Sequence, residues 1–455
     1  MSRNNLDCRG VRLKLIAIAS SVLLGFAALA QSQTPGNASA EARLGGRLFH
    51  DDRFSSPSGD LMNSCSSCHL FDEDPQGIRA RADFFSRSWV PFRMEDPRRD
   101  ALRNAPAIFD SALMPKLHFD GEFDSLEALV KGTLSGRPMG WLEGEQARAF
   151  DRVRQVVLND SATSNGESYR SQFKGVYAVS VETLSPDQVI DLVAKAISAY
   201  IRPMKSERST PYDHFIAANK LDAAPKAGED AREFGTRTLA RIAALEASRE
   251  IKLAAGFDAA ALKGFKTFLT TSGAPSVGNC VACHLPPLFT DFSFHNIGVS
   301  QSEYDHVHGE GSFGELDIPV AARAARPSPQ FRETPVVRKP GWADLGHWNF
   351  ADIKKSPLRK TNESDEQFLQ RMIGTFKTPS LRNLDFSPPY MHTGGFSTIE
   401  STLAELMRLS EMARAGKVRQ SDEELAKIGI SEADIAPLAA FLKTLNEDLN
   451  KTKRR

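Results

Sequence analysis

Cysteine is scarce in this chain and unevenly placed. There are five among 455 residues. Cys8 falls in a leader-like segment, so Cys65, Cys68, Cys280 and Cys283 leave no thiol outside two C-x-x-C pairs. That excludes a separate disulfide framework. Net charge of either sign is also lacking: 57 Lys and Arg balance 57 Asp and Glu, and nothing points to a nucleic-acid partner. Beyond residue 30 no apolar run is long enough to cross a bilayer, and there is no low-complexity tract. The hydrophobic fraction, 41%, is ordinary for a globular protein, and the length suggests two or three domains.

The first 30 residues read as a targeting segment. Arg3, Arg9, Arg12 and Lys14 precede an apolar run from Leu15 to Ala30, and Ala28-Leu29-Ala30 offers a small-residue cleavage pattern. The rival reading is an uncleaved anchor, but the run is short for a membrane span. The expectation is a signal peptide over residues 1–30. The mature protein would then have no membrane span and would lie in the periplasm.

Each remaining cysteine pair is followed at once by a histidine: Cys65-Ser66-Ser67-Cys68-His69 and Cys280-Val281-Ala282-Cys283-His284. C-x-x-C-H is the attachment signature of c-type haem. Cysteines three apart on a helical turn project to one side, where each can form a thioether with a haem vinyl group. The next residue offers its imidazole to the iron. A four-cysteine zinc site and a dithiol redox pair are the alternatives, and neither requires a histidine after both pairs. Two covalent haem c groups are therefore expected.

The two halves share a plan. Glu41–Phe49 and Asp258–Leu269 are helical stretches, each followed by a Ser/Gly/Pro loop and a haem motif. Each half also closes with a helix. Ser185-Pro186-Asp187-Gln188 opens one, with Val189, Ile190, Val193, Ile197 and Ile201 on one side, and Ser431-Glu432-Ala433-Asp434 opens the other. The fold expected is mainly α, with two cytochrome c-like domains and long loops, each domain enclosing one haem. The first would span residues 31–250 and the second 251–455, with the boundary inside Leu221–Phe257, a segment that suits either helix or linker. Gln301–Thr361, with Trp342 and Trp348, reads as a long loop covering the second haem.

Further segments carry a family resemblance: GGRLFHDDRFSS before the first motif, RNAPAIFDSAL, FDGEFDSLEAL, FTDFSFHNIGV and FKTPSLRNLDFSPPYMHTGGFSTIE. Their order and spacing resemble the bacterial dihaem cytochrome c peroxidases and the related MauG-like enzymes, over nearly all of the chain beyond the leader. The resemblance implies a peroxidatic haem on His69 and a six-coordinate electron-transfer haem on His284. It implies a calcium ion between the domains, held by the Asn104 side chain and the carbonyls of Ser387 and Pro389. Hydrogen peroxide would be a substrate. The partner would be a small electron donor of cytochrome c or cupredoxin type, or a protein substrate, and the chain would form a homodimer.

The chain also departs from that family. The bridging tryptophan becomes Phe119, the distal glutamine Leu129, and the distal glutamate Met139, or Pro138 if one residue is missing. None of these moves a proton, and peroxide cleavage needs a group that does. Glu122, which replaces the family's arginine, is the first candidate for acid–base catalysis and Glu127 the second. His118 is nearby. The second ligand of the second haem falls near Met407, on a helix opened by a Ser397-x-x-Glu400 capping box, with His295 and His392 as alternatives. The working expectation is a peroxidase drawing electrons from a donor protein. The alternatives are MauG-like oxidation of a partner protein and a non-catalytic electron carrier.

Overall fold

The chain starts its helices with polar caps, and the caps set the architecture. The computed structural model describes residues 39–59, 61–71, 80–82, 93, 103–161, 167–318 and 342–447. The expected signal segment, residues 1–30, lies outside them. Helix α1, Ala40–Phe49, starts where Ser39 Oγ accepts the Ala42 N–H. It is followed by α2 (Leu126–Leu134), α3 (Gln146–Asn159), α4 (Tyr169–Tyr177) and α5 (Pro186–Ile201). Ser185 and Gln188 cap α5 reciprocally, with Pro186 at its first position, as expected. Then come α6 (Pro211–Ala218), α7 (Ala231–Ala247), α8 (Ala259–Leu269), α9 (Val299–His308), α10 (Asp365–Arg371), α11 (Ile399–Arg414) and α12 (Glu432–Lys443). Strands are few. β1 (His69–Phe71) pairs antiparallel with β2 (Ala80–Ala82), and β3 (Phe294–His295) with β4 (Phe376–Lys377).

Two hydrophobic cores organise these helices. The first packs Leu44, Leu48 and Phe49 of α1 with Val193 and Ile197 of α5, among residues running from Leu44 to Ile201. The second packs Phe265 and Phe268 of α8 with Leu438 and Phe441 of α12. Phe265 and Phe441 stack at 4.9 Å. Each such fully buried ring is worth roughly 1.5–3 kcal/mol of apolar burial. In both cores the helix before the haem motif crosses the closing helix at a glycine. Gly45 meets the backbone of Ala196, and Gly264 meets that of Pro437.

Two expectations are corrected and one left open is decided. The second core begins at Tyr212 and includes Phe215, Phe234 and Ile242, so α6 and α7 pack with the C-terminal half rather than the N-terminal one. The Leu221–Phe257 segment holds a capped helix, α7, because Phe234, Thr238, Ile242 and Leu245 recur at helical spacing and are buried. The Gln301–Thr361 segment is not a plain loop. It contains α9, and its Tyr304, Phe313, Leu316, Leu345 and Trp348 enter two small cores with Ile373, Phe368 and Leu369. Residues 319–341 of it lie outside the described ones.

Candidate functional site

The first motif forms a single helical turn, Cys65–Cys68, closed at its start by Ser64, whose N–H donates to Ser67 Oγ at 3.0 Å. The turn sets both cysteines and His69 into the wall of a cavity of about 280 Å³. Burial drives the His69 imidazole down to about 4, with His118 nearby adding to the effect. It is therefore neutral, the form that ligates metals. Burial, reinforced by Cys68, pushes the Cys65 thiol up to about 12.

Both halves of the chain close this cavity. Phe49, Leu126, Val130 and Ile197 give it an apolar wall, and Leu129 and Met139 lie in the same wall. Arg103, Lys377 and Arg382 also line it. Arg103 pairs with Asp120 at 2.5 Å and with Asp344 at 2.6 Å. Arg382 grips Asp213 through two bonds of 2.8 Å. Lys377 Nζ donates to the Lys116 carbonyl, and burial lowers its amine to about 8 against the pull of Asp120. Two lining residues hold buried polar atoms without a protein partner, Arg103 Nε and Ser111 Oγ. A flat apolar ring with acidic substituents fits such a cavity: the apolar wall would hold the ring, the cations would offset its acids, and His69 would be the ligand to its metal. The cationic lining escaped the sequence reading, because Arg103, Lys377 and Arg382 are far apart along the chain.

The second motif folds differently. Asn279, in the left-handed region at φ 52°, precedes a tight turn over Cys280–Ala282. The His284 N–H donates to the Cys280 carbonyl at 2.8 Å. His284 Nδ1 lies 2.9 Å from the Phe289 carbonyl. A carbonyl only accepts, so Nδ1 carries the proton and Nε2 keeps its lone pair. That is the second partner a metal-bound histidine needs. Burial holds the His284 imidazole below its ordinary value, opposed by the Phe289 carbonyl.

The candidates for the second ligand separate clearly. His295 is corrected: Asp291 takes its Nε2 at 2.8 Å and Asp422 its Nδ1 at 2.6 Å. Burial works against its charge, but these carboxylates and Cys283 outweigh it and push the imidazole up to about 12. With Asp291 on one ring nitrogen and Asp422 on the other, His295 offers an iron no nitrogen without breaking one of these bonds. His392 stacks on Phe376 at 3.5 Å, and its Nε2 lies 3.0 Å from Ser300 Oγ. Helix α11 begins one residue later than expected, because Thr398 rather than Ser397 caps it and pairs with Ser401. Its Leu406 packs with Val299 and Leu409. Met407 is half-buried and, among the described residues, belongs to none of the hydrophobic cores.

The acid–base candidates also part company. Glu127 sits in the first turn of α2, pairs with Arg202 and is not in the cavity wall. Glu122 is outside the wall too, but its carboxylate lies 3.1 Å from Nδ1 of His118, which is in the wall. His118, Asp120 and Glu122 are close enough to resemble a cation site. Asp120, however, is already bound by Arg103 and accepts the Glu122 N–H. Phe119 lines the cavity, and its carbonyl accepts the Lys377 N–H at 2.7 Å, joining the halves. Asn104, 4% exposed, meets Pro389: its Nδ2 donates to the carbonyls of Pro389 at 2.6 Å and Met391 at 3.2 Å. Ser387 shares the cavity wall with both Asn104 and Pro389.

A mainly helical protein with a neutral, half-buried histidine beside two cysteines, in a cavity lined by cations, carries the donor set that a haem-binding redox protein needs. The comparisons agree. Residues 39–221 match the family model for di-haem cytochrome c peroxidase. The cytochrome-c peroxidase IdrP1 of Denitromonas iodatirespirans is 24% identical over 412 residues, covering 89% of this chain and 80% of that protein. The methylamine utilization protein MauG of Paracoccus denitrificans (strain Pd 1222) is 22% identical, covering 96% of each. The crystal structure of the diheme peroxidase BthA from Burkholderia thailandensis E264 shares the fold, with a TM-score of 0.55 and 19% identity over 92% of this chain and 88% of that one. Over residues 39–221 the chain is similar to the di-haem cytochrome c peroxidases, and its full-length relatives include proteins named cytochrome-c peroxidase and MauG.

Proposed function

We propose that the protein is a periplasmic dihaem c-type oxidoreductase that reduces hydrogen peroxide with electrons from a small donor protein. One observation carries this reading. Both C-x-x-C-H turns end in a half-buried histidine whose imidazole is held below its ordinary pKa by desolvation, and one of these sits in a cavity that both halves close.

Cys65 and Cys68 would anchor one haem with His69 beneath it, and Cys280 and Cys283 another with His284 beneath it. When bound, the two groups supply redox iron, one accessible to peroxide and one relaying electrons. The chain's own residues do the rest. The Phe289 carbonyl fixes the His284 tautomer. Leu126, Val130 and Ile197 would limit water in the cavity, and Arg103, Lys377 and Arg382 would hold the group's acidic substituents. Phe119, tied to Lys377, stands where the halves meet. Phenylalanine resists oxidation, which favours direct tunnelling over a side-chain relay. Met407 is the proposed second ligand on the His284 side. A calcium ion is proposed at Asn104, with the carbonyls of Pro389 and Ser387. Two carbonyls already converge on the Asn104 amide, and turning its oxygen inward would give a set of hard donors suited to that cation.

The test is rapid mixing of the reduced holoprotein with hydrogen peroxide, with and without a reduced small cytochrome c or cupredoxin. Oxidation of the donor in proportion to peroxide consumed is the expected result. Oxidised residues on a partner protein without donor turnover would replace this reading with the MauG-like one. An unreactive six-coordinate spectrum would leave only electron carriage.

A further inference from the structure

We propose that His118 is the proton-transfer residue of the His69 cavity and that Glu122 is the positioning residue that holds its ring. This rests on the peroxide-reducing reading. Leu117 and Phe123 pair antiparallel, with the Leu117 N–H donating to the Phe123 carbonyl at 2.8 Å. Residues 118–122 are thus the loop of a short hairpin, and its first and last members come face to face. Glu122 Oε2 lies 3.1 Å from His118 Nδ1. A carboxylate only accepts, so the proton sits on Nδ1 and Nε2 is the nitrogen that exchanges one.

The loop is held from several sides. Asp120 is fully buried and bound to Arg103. Gly121, at φ +71°, lies so close to Phe294 that an added Cβ would be 2.5 Å from the ring. The His118 ring meets Phe123 edge-on, with centroids 5.0 Å apart at 81°. Its backbone is left-handed, at φ 63°, a conformation that histidine adopts more readily than most side chains.

The tyrosine, lysine, aspartate and arginine side chains of the wall each hold a bond of their own. Tyr390 donates to the Leu384 carbonyl at 3.0 Å, and Lys377 Nζ to the Lys116 carbonyl at 2.8 Å. Asp120 is neutralised by Arg103, and arginine does not give up its proton. Leu129 and Met139 carry no acid or base. His118 lies in the wall with an orienting carboxylate behind it. This is the base–orienter arrangement that general acid–base catalysis requires.

The chemistry balances. Hydrogen peroxide takes two electrons from the reduced donor and two protons, and its O–O bond breaks to give two waters. His118 Nε2 accepts a proton from one oxygen and returns it to the other, which departs as water. The imidazole ends in its starting state.

The experiment uses the full-length holoprotein with His118→Asn, His118→Gln, Glu122→Ala and Glu122→Gln. Asparagine tolerates the left-handed backbone, so His118→Asn removes the imidazole without straining the loop. Two readouts are taken: the rate of reaction with hydrogen peroxide, and the affinity and C–N infrared stretch of the cyanide complex. His118→Asn is expected to slow the peroxide reaction by about 10²–10⁴-fold, to weaken cyanide about tenfold through the lost hydrogen bond, and to shift the stretch. His118→Gln keeps a donor and should retain part of the cyanide affinity. Glu122→Ala should shift the stretch in the same direction, and Glu122→Gln should restore most of it. A wild-type rate and stretch in His118→Asn would overturn the proposal, as would a Glu122→Ala defect larger than that of His118→Asn. If the unmutated holoprotein does not consume peroxide, the reading of its function fails, while the cyanide stretch still decides whether His118 touches an iron-bound ligand.

Discussion

Gly264 lies so close to the Pro437 carbonyl that a Cβ built on it would stand 1.9 Å from the oxygen. Gly45 stands in the same relation to the carbonyl of Ala196. Both contacts are with backbone, which cannot swing aside. Each half therefore depends on a hydrogen-sized side chain where the helix before its haem motif crosses its closing helix.

Gly45→Ala and Gly264→Ala should each push the crossing helices apart and cost roughly 1–3 kcal/mol. Differential scanning calorimetry of the holoprotein should show the loss as a fall of several degrees in the midpoint of the affected half. A midpoint equal to wild type in either variant would mean that the helices are not so tightly crossed.

The Arg382–Asp213 pair is buried at the cavity, with the Arg382 side chain 1% exposed. Burial alone would raise the Asp213 carboxyl, but the guanidinium outweighs it and holds Asp213 below its ordinary value. A depressed carboxylate contributes stability above its unfolded pKa, near 3.9, and that stability is lost as pH falls through the folded value. Asp213→Asn should therefore cost about 3–5 kcal/mol at neutral pH. The gap to wild type should close below about pH 4 in urea unfolding curves. A gap independent of pH would show that the charge is not what matters.

Asn104 gives a test of the calcium proposal. Chelation with EGTA should lower the thermal midpoint of the wild-type holoprotein, and calcium should restore it. Asn104→Ala should start from the lowered midpoint and be indifferent to chelator. An equal response in both would remove Asn104 from the site.

The two attachment turns are separable. Cys280→Ser with Cys283→Ser should yield a protein that keeps one covalent porphyrin, by mass and by pyridine spectrum, because Cys65 and Cys68 lie in the other half of the chain. Retention of both covalent groups would refute attachment at Cys280 and Cys283.

Met407→Leu preserves the size and apolarity of a half-buried side chain and removes its sulfur. It should abolish the near-infrared thioether–iron band of the oxidised holoprotein and lower the potential of that haem. A band that survives would assign the ligand elsewhere.

The local features were legible because short-range physics sets them. The capping box at Ser185 and Gln188 and the α8 stripe of Leu262, Phe265 and Leu269 come from side chains within a turn or two of one another. The start of α11 was misplaced by one residue because Ser397 and Thr398 both offer a hydroxyl, and only the geometry decided that Thr398 bonds the Ser401 N–H. His295 read as an alternative iron ligand, since Asp422, which holds it, is 127 positions away.

By itself the sequence determined the two C-x-x-C-H motifs, the repeated helical plan and the family resemblance. These depend on covalent spacing and on periodicity, which a linear string records. Only the tertiary structure decided that α6 and α7 join the second core, that Arg103, Lys377 and Arg382 line one cavity, and that Glu122 reaches the cavity through His118. Those relations depend on which distant backbones cross and how closely, and no single stretch of chain encodes that.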